Sequence, residues 1–377
     1  MKKKKLLFIV NTDWFFVSHR LPIAIEAINQ GYEVHLATDV SNKSKILNKN
    51  GINVHPLKLH RSNSNIASLI LEFKEIFSTI RMIRPDILHL VTIKPVLLGG
   101  IASRLVHVPA LVYAVSGLGF VFLDKGFTAF IRRKIIFILY RISFGHFNKR
   151  VIFQNKDDQT ILSKLCRLTP KETSLVKGSG VNLSTFSYKE IGSELPIILF
   201  ASRLLKDKGV KEFVMAAKSV NKEFQRARFV IVGEPDFDNP SSVIQEEIDE
   251  WKQKGEVELW GHRENMNMVI SQSTIVVLPS YREGLPKILI EASACGRAII
   301  TTDVPGCRDA IKKNITGILV PVQNQKELAN KITYLLDRPE LCMKMGLAGR
   351  KYAEECFDIN KVVDKHIHIY DELSMRT

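Results

Sequence analysis

Short apolar runs separated by longer amphipathic stretches recur along the whole chain. In the first half, Leu6–Val10, Glu33–Thr38, Val54–Lys58, Ile87–Val91, Ala110–Val115 and Val151–Gln154 predict strands. Helical spacing fills the gaps: a helix capped by Ser18 and closed near Gly31, one over 66–83, and one over Pro95–Leu105. Gly178–Asn182 reads as a turn, and the polar stretch through Glu194 as a linker. The alternation then restarts, with strands expected at Pro196–Phe200, Phe229–Val232, Val257–Leu259, Ile275–Leu278, Ala298–Thr301 and Gly317–Val320. Strands that alternate with helices imply parallel sheets covered on both faces. The expected architecture is therefore α/β, with two Rossmann-like domains facing across a cleft and ligands at the carboxyl ends of the strands. The domains are expected at 1–185 and 186–359, and an amphipathic helix at 360–377 is expected to pack back on the first. A length of 377 residues agrees, being too long for one core.

Charge divides the chain where periodicity does. Residues 1–185 carry 27 Lys+Arg against 11 Asp+Glu, and residues 186–377 carry 27 against 28. The first half should thus meet something acidic: an anionic membrane, a diphosphate lipid or a nucleic acid. The basic residues concentrate in Lys125–Arg150, which holds seven of them and no acid, interleaved with Phe127, Phe130, Ile131, Ile135–Tyr140, Ile142, Phe144 and Phe147. A basic, aromatic-rich amphipathic helix suits a bilayer surface, with Arg132, Arg133 and Lys134 on phosphates. Nucleic acid is the weaker alternative, because the positive half mixes charge with bulky aliphatics rather than with base-stacking aromatics on a sheet. Five scattered cysteines without C-x-x-C spacing point to reduced thiols in a cytoplasm. The apolar run after the N-terminal lysines is too short for a signal-peptide core, and no run is long enough to span a bilayer.

Candidate chemistry sits in the second half. Glu283-Gly-Leu-Pro-Lys-Ile-Leu-Ile-Glu291 reads as a loop entering a helix, with Pro286 at its first position and Gly296 just past its end. A helix start near Lys287 favours an anion. Eight residues at a rise of roughly 1.5 Å place the two carboxylates at most about 12 Å apart, a span that suits a nucleotide sugar. Arg203 and Lys208, after the strand at Pro196–Phe200, are the cations a diphosphate leaving group needs. Asp236-Phe-Asp238 has a metal-binding form but lies in a Pro-rich polar loop, so it reads as solvated and no metal is expected.

Arg203, Lys208, Glu283 and Glu291 resemble the donor site of glycosyltransferase family 4, retaining enzymes of the GT-B fold. Leu278–Pro286 and Ala201–Gly209 carry the similarity most specifically. Val115–Phe120 and Asp124–Phe127 resemble bacterial transferases that extend polyprenyl-diphosphate-linked glycans. The resemblance implies that Arg203 and Lys208 clamp the diphosphate and that Glu283 contacts the transferred sugar. It also implies that backbone N–H groups after Gly284, at Leu285 and Lys287, meet phosphate, that Glu291 holds the ribose, that Gly233 lets the nucleotide approach, and that Arg263 meets the base. The nucleotide sugar, with UDP first and GDP second, is then a substrate and no cofactor is needed. The expected place of action is the inner face of the cytoplasmic membrane. The chain departs from the family in two places. Asn11–Ser18, containing Asp13, has no glycine, so the diphosphate is expected near Ser18 and His19. The usual histidine after the fifth strand is replaced by Ser116-Gly117, leaving His19 and His89 as the nearest substitutes. The rival within enzymes is a sugar-nucleotide epimerase, which needs no lipid acceptor and gives no reason for the 125–150 segment.

Overall fold

The structure is a computed structural model that describes residues 3–41, 43–59, 66–119, 126–192, 195–222 and 226–376. Phe120, Asp124 and Lys125 of the motifs above, and the end of the linker at 193–194, lie outside the described residues. The chain forms two compact units, Met1–Ser179 with Ile359–Thr377, and Gly180–Asp358. The division at Ser179/Gly180 falls six residues before the expected 185/186 boundary, because Val181 already hydrogen-bonds to Phe357 and packs with Leu285 and Ile290.

In the first unit the strands are β1 (Lys5–Thr12), β2 (Glu33–Asp39), β3 (Asn53–Pro56), β4 (Ile87–Val91), β5 (Ala110–Val115), β6 (Lys149–Phe153) and β7 (Thr173–Leu175). They form a parallel sheet in the order β3-β2-β1-β4-β5-β6-β7. The helices are α1 (Asp13–His19), α2 (Leu21–Asn29), α3 (Ser44–Lys49), α4 (Ile66–Ile83), α5 (Gly100–Val106) after a π-helical turn at Pro95–Gly99, α6 (Phe127–Ser143) and α7 (Lys156–Cys166). Near-continuous apolar strands such as Ile87–Val91, buried throughout, fit a sheet covered on both faces. Strand β7 and helix α3 are too short for periodicity to announce them.

In the second unit β8 (Ile197–Ala201), β9 (Arg228–Val232), β10 (Glu258–Gly261), β11 (Ile275–Leu278), β12 (Ala298–Thr302) and β13 (Gly317–Val320) pair in parallel in the order β10-β9-β8-β11-β12-β13. Its helices are α8 (Val210–Val220), α9 (Gln245–Lys254), α10 (Met266–Gln272), α11 (Lys287–Ala294), α12 (Gln325–Leu336) and α13 (Pro339–Cys356). Each sheet reverses its strand order once, at β1/β4 and at β8/β11. At such a switch point the two neighbouring connections leave for opposite faces, which opens a crevice at the carboxyl ends.

The last helix, α14 (Ile359–Ser374), returns to the first unit and packs on α2, β4, β5 and β6. It buries Val362, Val363, Ile369, Tyr370 and Leu373 in the core formed by Leu6, Phe8 and Ile87. Its underside carries polar groups too. The Tyr370 hydroxyl lies 2.6 Å from His89 Nδ1, and His366 stacks on His89. His89, expected beside a reacting carbon, is thus a core residue. It sits in the middle of β4 rather than at its end, fully buried, and its pKa is held well below the ordinary value by burial.

Burial, aided by the Arg20 charge, pushes His366 down to about 3 from 6.5. Below pH 6.5 the unfolded chain takes up a proton that the folded chain refuses, so stability present above 6.5 is lost as pH falls toward 3. By pH 5 the loss from His366 alone should be roughly 2 kcal/mol. Denaturant unfolding at pH 7 and pH 5 checks this: His366→Leu should flatten the acid limb, and an unchanged slope would refute the assignment. Among the described residues no helix is long and apolar enough to cross a membrane.

Candidate active site

Two connections meet at the switch point of the second sheet. After β8 the chain passes Arg203 and makes a 3-10 turn at Lys206–Lys208. After β11 it runs through Pro279 and Ser280 into α11. The Tyr281 N–H donates to the Asp207 carbonyl at 2.9 Å, stitching the two together. This places Lys208 Nζ 2.5 Å from Glu283 Oε1, with both side chains largely buried. Ser280, fully buried, puts its hydroxyl 2.8 Å from the same carboxylate oxygen and 3.1 Å from the Asp207 carbonyl. Thr302 donates to the Ser280 carbonyl in turn. Glu283 Oε1 is therefore held from two sides.

The connection after β12 supports the loop from below. Glu283 N–H donates to the Pro305 carbonyl at 3.2 Å. Gly306, at φ +80°, lies so close that an added Cβ would come within 2.5 Å of the Glu283 carbonyl oxygen. Ser280, Thr302 and Gly306 escaped the sequence reading. Their only signals were position: just after β11, at the end of β12, and in Asp303-Val-Pro-Gly306.

Arg203 does not join the Glu283 cluster here. It is about two-fifths exposed and pairs with Asp236 Oδ2 at 2.5 Å. Asp236 is therefore not the solvated loop residue expected. Its carboxylate is mostly buried against Arg203, and its N–H donates to Ser242 Oγ. Gly233 directly follows β9 against the Ser202 carbonyl, where a Cβ would clash at 1.9 Å, so chain packing already demands glycine there. Arg263 is exposed between β10 and α10. Gly284 is buried, and the Leu285 side chain packs with Val181, Ile290 and Phe357, leaving only its backbone to serve a ligand.

Pro286 is the N-cap of α11 rather than its first residue, and Gly296 follows the Cys295 cap. Lys287 and Glu291 pair within the helix at 3.3 Å. Glu291 is buried, and burial raises its pKa against the lowering pull of Lys287. A carboxylate with a raised folded pKa lowers stability as pH rises from 4.5 through the raised value. Glu291→Gln should therefore leave the ligand-free protein at pH 7 as stable or more so. If Glu291 grips ribose, the same variant should lose the stabilisation that uridine nucleotides confer. Melting curves with and without UDP read both, and full UDP stabilisation in the variant would remove Glu291 from the site.

Comparison with known proteins gives the chemistry a family. Residues 185–352 match the model of "Glycosyl transferases group 1", and residues 5–155 match "Glycosyl transferase 4-like". The chain is a family 4-like glycosyltransferase. It is 28% identical over 367 residues to N,N'-diacetylbacillosaminyl-diphospho-undecaprenol alpha-1,3-N-acetylgalactosaminyltransferase of Campylobacter jejuni, covering 94% of this chain and 95% of that one. It is 26% identical over 325 residues to UDP-Gal:alpha-D-GlcNAc-diphosphoundecaprenol alpha-1,3-galactosyltransferase of Escherichia coli, covering 81% of each. Among solved structures, Anabaena HepE in complex with UDP superposes with a TM-score of 0.78 at 15% identity, covering 98% of this chain and all of that one. At that identity the likeness establishes the GT-B fold.

In the first unit of the glycosyltransferase, several expected site residues have structural work instead. Asp13 opens α1 and is fully buried. It accepts from the Ser41 N–H and hydroxyl and from the Lys43 N–H, which lowers its pKa against the opposing effect of burial. Ser18 and His19 lie in the last turn of α1, just before α2 begins at Leu21 with Arg20 as its N-cap, so neither is itself a cap. The His19 ring stacks on Phe15, with its Nδ1 3.2 Å from the Phe15 carbonyl. Ser116 and Gly117 directly follow β5, half-buried.

Helix α6 of the transferase buries Ala129, Tyr140 and Ser143 and leaves Phe127, Phe130, Ile131, Ile135, Ile138 and Ile142 exposed. Those six recur at helical spacing and form one apolar stripe. Arg132, Lys134 and Arg141 are exposed along the same helix, with Arg133 half-buried, and Lys134 lies over the Phe130 ring. Lys149 and Arg150, counted above with the basic cluster, are instead paired with Glu172 and Glu372 beside β6.

Proposed function

We propose that the enzyme transfers a hexose or N-acetylhexosamine, with retention, from a UDP-sugar to a polyprenyl-diphosphate-linked glycan at an anionic membrane surface. The observation that carries the reading is the Lys208–Glu283 pair, held at the β8/β11 switch point beside the start of α11. The relatives' names supply the acceptor class, diphosphoundecaprenol-linked sugars, and HepE was solved with UDP.

In this reading the diphosphate lies against Lys208 and the positive end of α11. Arg203 swings from Asp236 to join it. Glu283 takes hydrogen bonds from the hydroxyls of the sugar, and Glu291 from those of the ribose. The bond from the anomeric carbon to phosphate oxygen breaks while the acceptor oxygen bonds on the same face. The departing phosphate oxygen takes the proton of the acceptor hydroxyl. Lys208 lowers the barrier by neutralising charge that grows on the leaving group. Helix α6 lies on the bilayer, its apolar stripe among the acyl chains and its arginines and Lys134 on lipid phosphate.

A thermal-shift panel of UDP-, GDP- and ADP-sugars, each with Mg²⁺ or EDTA, tests the donor half. A UDP-sugar at a hundred times its Kd should stabilise by about 2.7 kcal/mol, equally with and without metal. Stabilisation by none of the uridine nucleotides would overturn the donor assignment. Conversion of a UDP-sugar to its epimer without acceptor would favour the epimerase.

A further inference from the structure

The loop after β9 lies along the segment that carries Arg203 and Lys208. The Leu204 N–H donates to the Glu234 carbonyl at 3.0 Å, the Val243 N–H to the Leu204 carbonyl at 3.0 Å, and the Lys206 N–H to the Ser241 carbonyl at 2.7 Å. Leu205 and Ser242 form an antiparallel bridge between them. Residues 234–243 are thus zipped to Leu204–Lys206 as a short ribbon outside the parallel sheet.

The ribbon is braced from within by Asn239. The Asn239 N–H donates to the Asp236 carbonyl at 2.7 Å, and its side-chain oxygen accepts from the Ser241 N–H at 2.9 Å, an Asx turn. Ser242 Oγ accepts the Asp236 N–H at 3.1 Å. Pro240, inside the turn, has no N–H to satisfy.

One side-chain contact links this braced ribbon to the turn that bears Lys208. Ser241 Oγ donates to Asp207 Oδ1 at 2.7 Å and accepts from the Asp207 N–H at 3.3 Å. The Asp207 carbonyl serves the other neighbour. It accepts from the Tyr281 N–H at 2.9 Å and lies 3.1 Å from the Ser280 hydroxyl, which also meets Glu283. Asp207 is therefore a node between the ribbon and the Ser280–Glu283 loop, and Lys208 is the next residue in a three-residue 3-10 turn. A turn this short has poor hydrogen-bond geometry of its own, so its orientation is set by what grips it. An acid just ahead of α8, which starts at Val210, would also complement the helix dipole. That role needs only negative charge, whereas the two-way bonding with Ser241 needs an acceptor oxygen.

Resting on the function proposed above, we infer that Ser241 and Asp207 are positioning residues for sugar transfer. They hold the Lys206–Lys208 turn against the Ser280–Glu283 loop and so aim Lys208 at the phosphate oxygen that departs. Attraction between charges falls only inversely with distance, so a displaced Lys208 still binds UDP. Stabilising charge that develops in the transition state demands alignment, and a misplacement of about 1 Å can cost roughly a hundredfold in rate.

Turnover is read as UDP released from the UDP-sugar that best stabilises the wild type, with GlcNAc-diphosphoundecaprenol micelles or water as acceptor. Ser241→Ala and Asp207→Ala should each lower kcat roughly ten- to a hundredfold, with the donor KM changed less than about threefold. Both keep the Asp207 carbonyl and its bond to Tyr281. The double variant should be no slower than either single one, because both cut the same link. Asp207→Asn loses the charge but keeps the acceptor oxygen, so it should recover about tenfold over Asp207→Ala. On the Lys208→Ala background, Asp207→Ala should cost less than about twofold more, because the residue it aims is gone. An equal loss on both backgrounds, a KM that rises while kcat holds, or an Asp207→Asn variant as slow as Asp207→Ala would each overturn the positioning role and leave the donor site standing. A wild type stabilised by no uridine nucleotide would overturn the donor assignment and the positioning role with it.

Discussion

Lys208→Ala should abolish sugar transfer, lowering kcat roughly a hundred- to thousandfold, while the protein stays folded. Removing one preorganised positive donor aimed at developing charge costs about this much in other enzymes. Here the cation is largely buried and held at 2.5 Å from Glu283 by a loop stitched at Tyr281–Asp207, so water replaces it poorly. The variant leaves the Glu283 carboxylate with the Ser280 hydroxyl as its donor. Comparison with Glu283→Ala separates the two roles. Lys208→Ala should lose stabilisation by UDP itself. Glu283→Ala should keep UDP stabilisation and lose the extra stabilisation that a UDP-sugar gives, because only the sugar meets the carboxylate. Near-normal turnover in Lys208→Ala would end the diphosphate-clamp assignment.

Replacing Phe130, Ile131, Ile135 and Ile138 with serine should release the enzyme from membranes. All four side chains are between two-fifths and three-fifths exposed in the folded chain, so their loss should leave the melting temperature nearly unchanged. Burying a large apolar side chain is worth about 1.5–3 kcal/mol, so four half-buried ones contribute about 3–6 kcal/mol, roughly a hundred- to ten-thousandfold in partitioning. Vesicle flotation with phosphatidylglycerol-rich liposomes measures it. Changing Arg132, Arg133 and Lys134 to glutamine should weaken the same binding by about 1 kcal/mol per charge, and less at high salt. Wild-type protein that stays with the solvent fraction, or a serine variant that still floats, would contradict the surface-docking role of α6.

Much of the fold was legible because both sheets are buried on both faces. Most of their strands appear as apolar runs, and seven of the residue pairs across β1/β2 and β8/β9 join positions inside the runs expected from the sequence. The failures have physical causes. The first helix was expected from Ser18, with Asn11–Ser18 in the place of the family's glycine-rich loop, yet the chain turns helical at Asp13, where buried hydrogen bonds from Ser41 and Lys43 hold the first turn in place. His89 is a substitute for the usual histidine only by its place near a strand end, and the covering of β4 by α14 is a contact across 281 residues that no local pattern can encode. Asp236 looked solvated because polarity and proline are local, whereas its partner Arg203 arrives from another strand.

The charges Lys208, Arg203, Glu283 and Glu291 and their attachment to strand ends were determined by sequence alone, since strand ends and helix starts are set by local propensity and apolar periodicity. Which of those charges touch was decided only by the tertiary structure. Strand order puts β8 beside β11, and so brings Lys208 to Glu283. It sends Arg203 to Asp236 and turns Glu291 into a buried acid. The reason is common to all of them: hydrogen bonds and desolvation act over a few ångströms of space, and proximity in space is created by the packing of distant segments rather than by their order along the chain.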